Sequence, residues 1–452
     1  MDSQTDRSTF RTMWLGLAAM VLLPFLAIAA VALVADKDGT TPATAGAPVS
    51  RSVELGDLFV KPSKIEVPAG APVRLTVHNG GKSTHDLKVE GLTGTRMLAP
   101  GTSQTIDAGP FTKSVKAWCT VPGHKDAGMV LDVVVAGTAT PATGTAAESG
   151  NSAVIDHNAT PPADWRPYDP ALAPAPGGRE HRVTLHAVES LVEVAPGVTQ
   201  ELWTFNGAAP GPTLRGRVGD LFTVELVNDG KLGHSIDFHA SKVAWTDEMR
   251  TIQPGESLTY QFVAGYAGVF MYHCGTAPAL HHIGNGMFGA VVIDPPDLSA
   301  VDHEYLLVQS ELYLGPDGGP GDLTKMQRFT PDAVVFNGYV DQYKHAPIRV
   351  EPEQRVRVWV LDAGPSDDSA FHVVGTVFDT VFKEGTYLLR PDGRRGGSQV
   401  LDLQPAQGGF VEFTFDEPGL YPIVTHKFSN VGKGALGLFQ AGEAQSSGTA
   451  GH

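Results

Sequence analysis

The chain contains 452 residues, only two of them cysteine, and has a formal net charge of −16 at pH 7. This length allows roughly two to four domains, and the acidic charge argues against nucleic acid or an anionic membrane surface as a partner. The 52 glycines and 33 prolines, without long periodic apolar runs, indicate many short strands and turns. We therefore predict an all-β chain built from several small sandwich domains.

The N-terminal segment predicts a membrane anchor. Residues 13–35 contain no charged side chain, and at about 1.5 Å per helical residue they would span a hydrocarbon layer of about 30 Å. Arg7 and Arg11 precede this stretch, so the positive-inside rule places residues 1–12 in the cytoplasm. Because a small-x-small cleavage site is poorly matched, an uncleaved anchor is favoured over a cleaved signal peptide. On either interpretation the chain after the spacer of residues 36–50 is exported.

The first predicted domain, residues 51–136, contains short alternating strands separated by Gly, Pro and Asn, as a Greek-key sandwich requires. Its single cysteine, Cys119, is followed by His124 and Met129 in the segment WCTVPGHKDAGM, and His85 lies upstream in STHDL. A thiolate, a thioether and two imidazoles form the ligand set of a blue-copper centre. These four residues are therefore candidate copper ligands.

A second and a third sandwich are predicted beyond a Pro-, Gly- and Ala-rich linker at residues 137–180. Residues 181–296 and 297–443 resemble each other: both contain FNG and a later strand that ends at a histidine. Repetition on this scale indicates duplication of a domain. The last nine residues, 444–452, are predicted to be a disordered tail.

The second cysteine lies in a motif like the first. Cys274 is followed by the pair His281 and His282 and then by Met287, and His234 lies upstream in HSIDFHA. Both motifs share the spacing H-x4-M if His282 is the ligand, so His282 is a better candidate than His281, which stays open as the alternative. The second motif therefore also predicts a blue-copper centre, with no cysteine left for a disulfide.

Alternation along strands predicts another metal site behind the second motif. Successive side chains of a strand point to opposite faces, which separates His239 from His234 and His273 from Cys274. His239 and His273 would then share a face, joined to the blue-copper centre through a single peptide bond. A third imidazole is needed, and we expect His426, which ends the corresponding strand of the third sandwich.

With these motifs, residues 181–443 resemble the copper-containing nitrite reductases, and residues 51–136 resemble a blue-copper electron-transfer domain fused ahead of them. The resemblance implies three cupredoxin-like Greek-key β-sandwich domains after one transmembrane helix. It implies a type 1 copper at His234, Cys274, His282 and Met287, and another at His85, Cys119, His124 and Met129. It implies a type 2 copper at His239, His273 and His426, an acid pair at Asp237 and His372, and a pocket wall at Val374.

The activity implied by the resemblance is reduction of nitrite to nitric oxide and water by one electron and two protons. Each chain would hold two type 1 coppers and one type 2 copper, and His426 would come from a neighbouring subunit of a homotrimer. The electron donor would be membrane-bound or a small redox protein, and the catalytic domains would be extracytoplasmic. In this scheme Asp237 and His372 would deliver or hold the protons.

Two other functions remain as alternatives. A multicopper oxidase would need several His-x-His pairs for its copper cluster, but the sequence contains none and Cys274 is followed by Gly275. A blue-copper electron carrier without catalysis would explain both cysteine motifs. It would leave His239, His273 and Asp237 without a role.

Overall fold

The computed structural model describes residues 48–57, 59–92, 94–121, 124–125, 129–136, 154–391 and 396–443. The predicted membrane helix at residues 13–35 and the tail at 444–452 lie outside these residues. Among the helices that are described, none is long and apolar enough to cross a membrane. The described chain is mostly β-strand and is arranged as three sandwiches, which confirms the prediction of an all-β architecture.

The first sandwich starts at Val49, just before the predicted boundary at residue 51. Its strands alternate buried and exposed residues, most clearly in Val73–Asn79, because one face of each sheet packs on the core. The strands are β1 (Val49–Gly56), β2 (Phe59–Lys61), β3 (Lys64–Pro68), β4 (Val73–Asn79), β5 (Lys88–Val89), β6 (Ser103–Asp107), β7 (Val115–Trp118) and β8 (Val130–Ala136). They form two sheets, ordered β2-β1-β4-β6 and β3-β8-β7-β5, around one apolar core.

The second sandwich repeats this arrangement with longer strands. Its elements are β9 (Glu180–Ala195), β10 (Val198–Phe205), β11 (Leu214–Arg217), β12 (Leu221–Asn228), β13 (Asp237–Phe238), α1 (Trp245–Glu248), β14 (Ser257–Val263), β15 (Gly268–His273), α2 (Ala279–Gly284) and β16 (Phe288–Asp294). The sheet orders are β10-β9-β12-β14 and β11-β16-β15-β13. The segment that follows β15 and the helix α2 therefore both lie at the end of the sandwich that also carries His234.

The third sandwich is the largest. Its elements are β17 (His303–Leu312), α3 (Leu323–Gln327), β18 (Ala333–Phe336), α4 (Gln342–His345), β19 (Ile348–Val350), β20 (Val356–Gly364), β21 (Ser369–Val373), β22 (Thr380–Lys383), β23 (Thr386–Leu389), β24 (Leu401–Leu403), β25 (Gly408–Phe413), β26 (Gly419–Thr425), a 3-10 turn (Phe428–Lys433) and β27 (Leu436–Ala441). The sheet orders are β18-β17-β20-β25-β22-β23 and β19-β27-β26-β21-β24. In this second sheet β21, β26 and β27 take the places of β13, β15 and β16.

The first two sandwiches hold their upstream histidine in the same way. Parallel pairing aligns Leu55 with Asn79 across β1 and β4, and Ala187 with Asn228 across β9 and β12. Each asparagine is fully buried, and its side-chain amide donates to two carbonyl oxygens of the loops at that end of the sandwich. Because buried amides need such partners, the loop before each upstream histidine is fixed.

Apolar packing and a buried ion pair join the second sandwich to the third; we call these two sandwiches the core. Met271 and Phe288 pack with Trp359 in a shared apolar cluster. Beside it, the Arg215 guanidinium makes two hydrogen bonds to the Glu304 carboxylate, at 2.9 and 3.0 Å. Such bidentate pairs fix orientation as well as position, so the two sandwiches meet in one defined geometry.

Candidate metal centres

The first sandwich brings its four predicted ligands together beneath the loops. Nδ1 of His85 lies 3.9 Å from Cys119 Sγ, and Nδ1 of His124 lies 3.6 Å from the same sulfur. Met129 is fully buried, and its amide donates to the His124 carbonyl while its own carbonyl accepts from the Cys119 amide. Two imidazole nitrogens and a thiol sulfur thus converge within 4.8 Å of one another, a donor set that fits copper.

The second sandwich repeats the geometry. Nδ1 of His282 lies 3.4 Å from Cys274 Sγ, Nδ1 of His234 lies 3.9 Å from it, and the two Nδ1 atoms are 3.3 Å apart. Met287 is buried and exchanges the corresponding backbone hydrogen bonds with His282 and Cys274. The same hydrogen-bond pattern in both sandwiches explains why the two sequence motifs share one spacing.

The two adjacent histidines of helix α2 contact different groups. His282 faces Cys274, whereas His281 Nε2 donates to the carbonyl oxygen of Gly321 at 3.0 Å. Both rings pack against Trp203, with centroids 4.6 Å away for His281 and 4.8 Å away for His282. Sequence analysis missed Trp203, because it reaches the site across the sandwich from β10 and belongs to no local motif.

Burial shifts the pKa values of the two downstream histidines, and the two thiols differ from each other. Burial lowers the pKa of His282 to about 3 and that of His124 to about 4, so both offer a lone pair at neutral pH. Burial raises the pKa of Cys119 to about 11. For Cys274 burial also acts upward, but the hydrogen bond and charge of His234 outweigh it and bring the pKa below its ordinary value. A coordinated cation deprotonates a thiol outright.

The third cluster lies where β13 pairs with β15. Nε2 of His239 and Nε2 of His273 are 3.0 Å apart, and Asp237 Oδ2 lies 3.9 Å from His273 Nε2. His273 Nδ1 donates to the Cys274 carbonyl oxygen at 3.0 Å, which leaves its Nε2 lone pair for a metal. Burial and the charge of His273 lower the pKa of His239. Two imidazoles beside a carboxylate fit a divalent cation.

The remaining predicted site residues lie together on the third sandwich. His372 is on β21 and His426 follows β26, and their ring centroids are 5.1 Å apart. Val374 is half-buried, and its amide donates to the Pro422 carbonyl at 2.8 Å. His426 is exposed. Within the described part of a single chain, the ligand atoms of Asp237, His239 and His273 converge, and His426 does not belong to that group.

A carboxylate that sequence analysis missed contacts a predicted ligand. Asp57 Oδ1 lies 3.0 Å from His85 Nε2, and its carboxylate also accepts hydrogen bonds from the amides of Lys82 and Ser83. Burial acts to raise the pKa of Asp57, but these hydrogen bonds outweigh burial and hold it well below its ordinary value. No sequence signal marks this contact, because Asp57 comes from a turn far upstream of His85.

Sandwiches of this topology with a buried thiol between two imidazoles place the chain among copper proteins of the cupredoxin class. Family profiles agree: one described as cupredoxin-like domain matches residues 24–113, and one described as multicopper oxidase matches residues 187–298. The copper-containing nitrite reductase of Neisseria meningitidis serogroup B is 36% identical over 314 residues, which cover 66% of this chain and 77% of that protein. The chain therefore belongs to the copper-containing nitrite reductase family, and the predicted family is confirmed.

Solved structures share the fold with two groups of copper enzymes. The copper nitrite reductase of Nitrosomonas europaea matches with 34% identity and a TM-score of 0.54, covering 58% of this chain and 94% of that one. A multicopper oxidase matches with 28% identity and a TM-score of 0.52, covering 66% of this chain and 100% of that one. Since both groups share the architecture, the site chemistry has to distinguish them.

The adjacent histidines of α2 allow a matched test of the core thiol centre. In copper-loaded protein carrying Cys119→Ala, so that a single thiolate centre remains, we expect His282→Ala to abolish the intense visible absorption. His281→Ala should keep the band, because His281 is bonded to the Gly321 carbonyl and not directed at Cys274. The visible spectrum and the copper content are measured. Loss of the band in His281→Ala with retention in His282→Ala would reverse the assignment.

Proposed function

We propose that the chain is a nitrite reductase that converts nitrite, one electron and two protons into nitric oxide and water. The main observation that supports this proposal is that two metal-ligand clusters lie next to each other. His273 belongs to the imidazole pair and Cys274 to the thiol centre, and the His273 ring donates to the Cys274 carbonyl. A one-electron reduction needs such a short path between the centre that receives the electron and the site where the substrate is reduced.

The catalytic set is completed in this proposal by a neighbouring subunit. His239 and His273 supply two imidazoles, and a third is needed for a type 2 copper that keeps an open position. His426 is exposed on the third sandwich of each chain, which supports its donation across a subunit interface. A closed ring of three chains would use the same interface three times. Copper, when bound, supplies a Lewis acid and a one-electron carrier.

Three residues of the chain would handle the substrate and its protons. Asp237 is partly exposed beside the imidazole pair, with 30% of its side chain accessible, so it can hydrogen-bond a bound anion and pass on a proton. Burial lowers the pKa of His372, which lies next to His426; its neutral ring can hold a water for the second proton. Val374 would supply an apolar wall.

The first sandwich, residues 51–136, would deliver electrons as a fused blue-copper domain. The two thiol centres border one cleft of about 820 Å³: His85 and His124 line it on one side, and His282 lines it on the other. This shared cleft supports direct electron transfer within one chain. We propose further that residues 13–35 anchor the chain to the membrane, with all three sandwiches on the extracytoplasmic side near a membrane-bound or small-protein donor.

A multicopper oxidase is the second candidate, favoured by the family profile that matches residues 187–298. Its copper cluster would need more imidazoles than the described residues bring together. Next to the core thiol centre they offer the pair His239 and His273 with the carboxylate Asp237. That set suits one copper with an anionic substrate better than a cluster of three.

Replacing the proposed acid tests the chemistry. Asp237→Asn keeps the size of the side chain but cannot deliver a proton, so nitrite turnover should fall roughly 10²–10⁴-fold while all copper stays bound. Asp229→Asn, in the same sandwich but bonded to the exposed ring of His186, is the matched control and should leave turnover unchanged. Turnover and copper content are measured together. A normal rate in Asp237→Asn would contradict its proton role.

Subunit complementation tests the shared site. His239→Ala and His426→Ala should each be inactive alone. When the two variants are co-expressed with different affinity tags and purified as mixed trimers, some interfaces regain both residues. Each mixed trimer contains one interface with both residues intact, so about a third of its sites would be complete, and nitrite turnover should recover to that extent. A mixed trimer without activity would place the whole catalytic set within one chain.

The relay is tested by removing the first thiol. Cys119→Ala should abolish nitrite reduction driven by a reduced membrane fraction, because electrons could no longer enter through the first sandwich. Turnover with a small viologen reductant, which can reach the core directly, should stay near the wild-type rate. Both rates are measured on the same copper-loaded protein. Equal rates with membranes before and after the substitution would show that electrons bypass the first sandwich.

A further inference from the structure

The upstream histidines of the two thiol centres differ in what their distal nitrogen contacts. His85 directs Nδ1 at Cys119 and donates a hydrogen bond from Nε2 to Asp57 Oδ1 at 3.0 Å. His234 directs Nδ1 at Cys274 in the same way, but its buried Nε2 has no hydrogen-bond partner in the described protein. Within the described residues, a carboxylate therefore contacts the distal nitrogen of the upstream histidine in the first sandwich but not in the second.

The strand registers supply an internal comparison for this carboxylate. Because Leu55 and Ala187 occupy equivalent positions, Asp57 is equivalent to Glu189. Both side chains accept a hydrogen bond from the loop before the histidine: Asp57 from the Lys82 amide at 3.0 Å and Glu189 from the Lys231 amide at 2.8 Å. The loop contact is thus common to both sandwiches. The contact with the ligand is specific to Asp57.

The hydrogen bond between Asp57 and His85 is shielded from water. A Cβ atom at Gly81 would lie 2.7 Å from Asp57 Oδ1 and 3.0 Å from His85 Nε2, so the loop backbone passes directly over the pair. The His85 side chain is fully buried and that of Asp57 is 13% exposed. Poor solvation strengthens the effect of a charge on its hydrogen-bond partner.

We propose that Asp57 lowers the reduction potential of the copper in the first sandwich below that of the core thiol copper. A carboxylate behind a ligating imidazole raises its basicity, which stabilises Cu(II) more than Cu(I). The resulting transfer of one electron converts Cu(I) to Cu(II) in the first sandwich and Cu(II) to Cu(I) in the core, with no bond or proton exchanged. Asp57 acts through His85 and is a positioning residue; the inference rests on the proposed copper centres.

This difference in reduction potential sets the direction of electron transfer across the shared cleft. Asp57, His85 and His124 line one side of the cleft and His282 lines the other. With the lower potential in the first sandwich, electrons move downhill toward Cys274 and the imidazole pair beyond it. Without the difference, an electron on the core copper would return as readily as it arrived.

The test is a redox titration of each thiol centre in full-length, copper-loaded protein without nitrite. Cys274→Ala isolates the visible band of the first sandwich, and Cys119→Ala isolates that of the core. We expect the first potential to lie below the second. Asp57→Asn in the Cys274→Ala protein should raise the first potential by about 59 mV, a tenfold change in the one-electron equilibrium. Glu189→Gln in the Cys119→Ala protein is the matched control and should leave the core potential unchanged.

A purely structural role for Asp57 predicts a different result. The amide oxygen that Asp57→Asn introduces would still accept from the loop amides, so a loop tether alone would leave the potential unchanged in this variant, and that result would overturn the proposal. A first potential equal to or above the core potential in the proteins with native Asp57 would also overturn it, even if Asp57→Asn failed to fold. If Asp57→Asn shifts the first potential but copper-loaded protein with both native cysteines cannot reduce nitrite, the role of Asp57 is supported and the proposed function is contradicted.

Discussion

The site depends on the opposite orientation of two successive side chains at the end of β15. His273 and Cys274 are neighbours in sequence, yet the pleat sends the imidazole to one face of the sheet and the thiol to the other. Pairing of Asp237 with His273 across β13 and β15 fixes this register. A slip by one residue would exchange the two faces and destroy both clusters at once.

The sandwiches bury the ligand side chains, and this burial shifts the pKa of individual ligands. His282 stays unprotonated because burial lowers its pKa to about 3, and the Cys119 thiol stays protonated because burial raises its pKa to about 11. The side-chain amides of buried asparagines such as Asn228 donate to loop carbonyl oxygens, which holds the loops and keeps the donor atoms close together.

Sequence analysis predicted the ligand assignments that depend on the local spacing of residues. Strand alternation separated His239 from His234, and the H-x4-M pattern favoured His282, which the structure directs at Cys274 while His281 faces Gly321. Trp203 and Asp57 could not be predicted, because their contacts depend on how distant strands pair and not on neighbours in sequence. The expected approach of His426 to a neighbouring chain would likewise depend on assembly, and its pairing with His239 remains a prediction.

In the proposed arrangement, the division of the catalytic set between sandwiches makes the chemistry depend on assembly. A chain carries His239 and His273 on one sandwich and presents His426, exposed, on another. In the proposed arrangement a newly exported chain could accept electrons and take up copper at its thiol centres, yet it could not generate nitric oxide until it met its neighbours. Quaternary structure would then serve as a safeguard, because the production of a toxic, diffusible gas would be restricted to fully assembled particles.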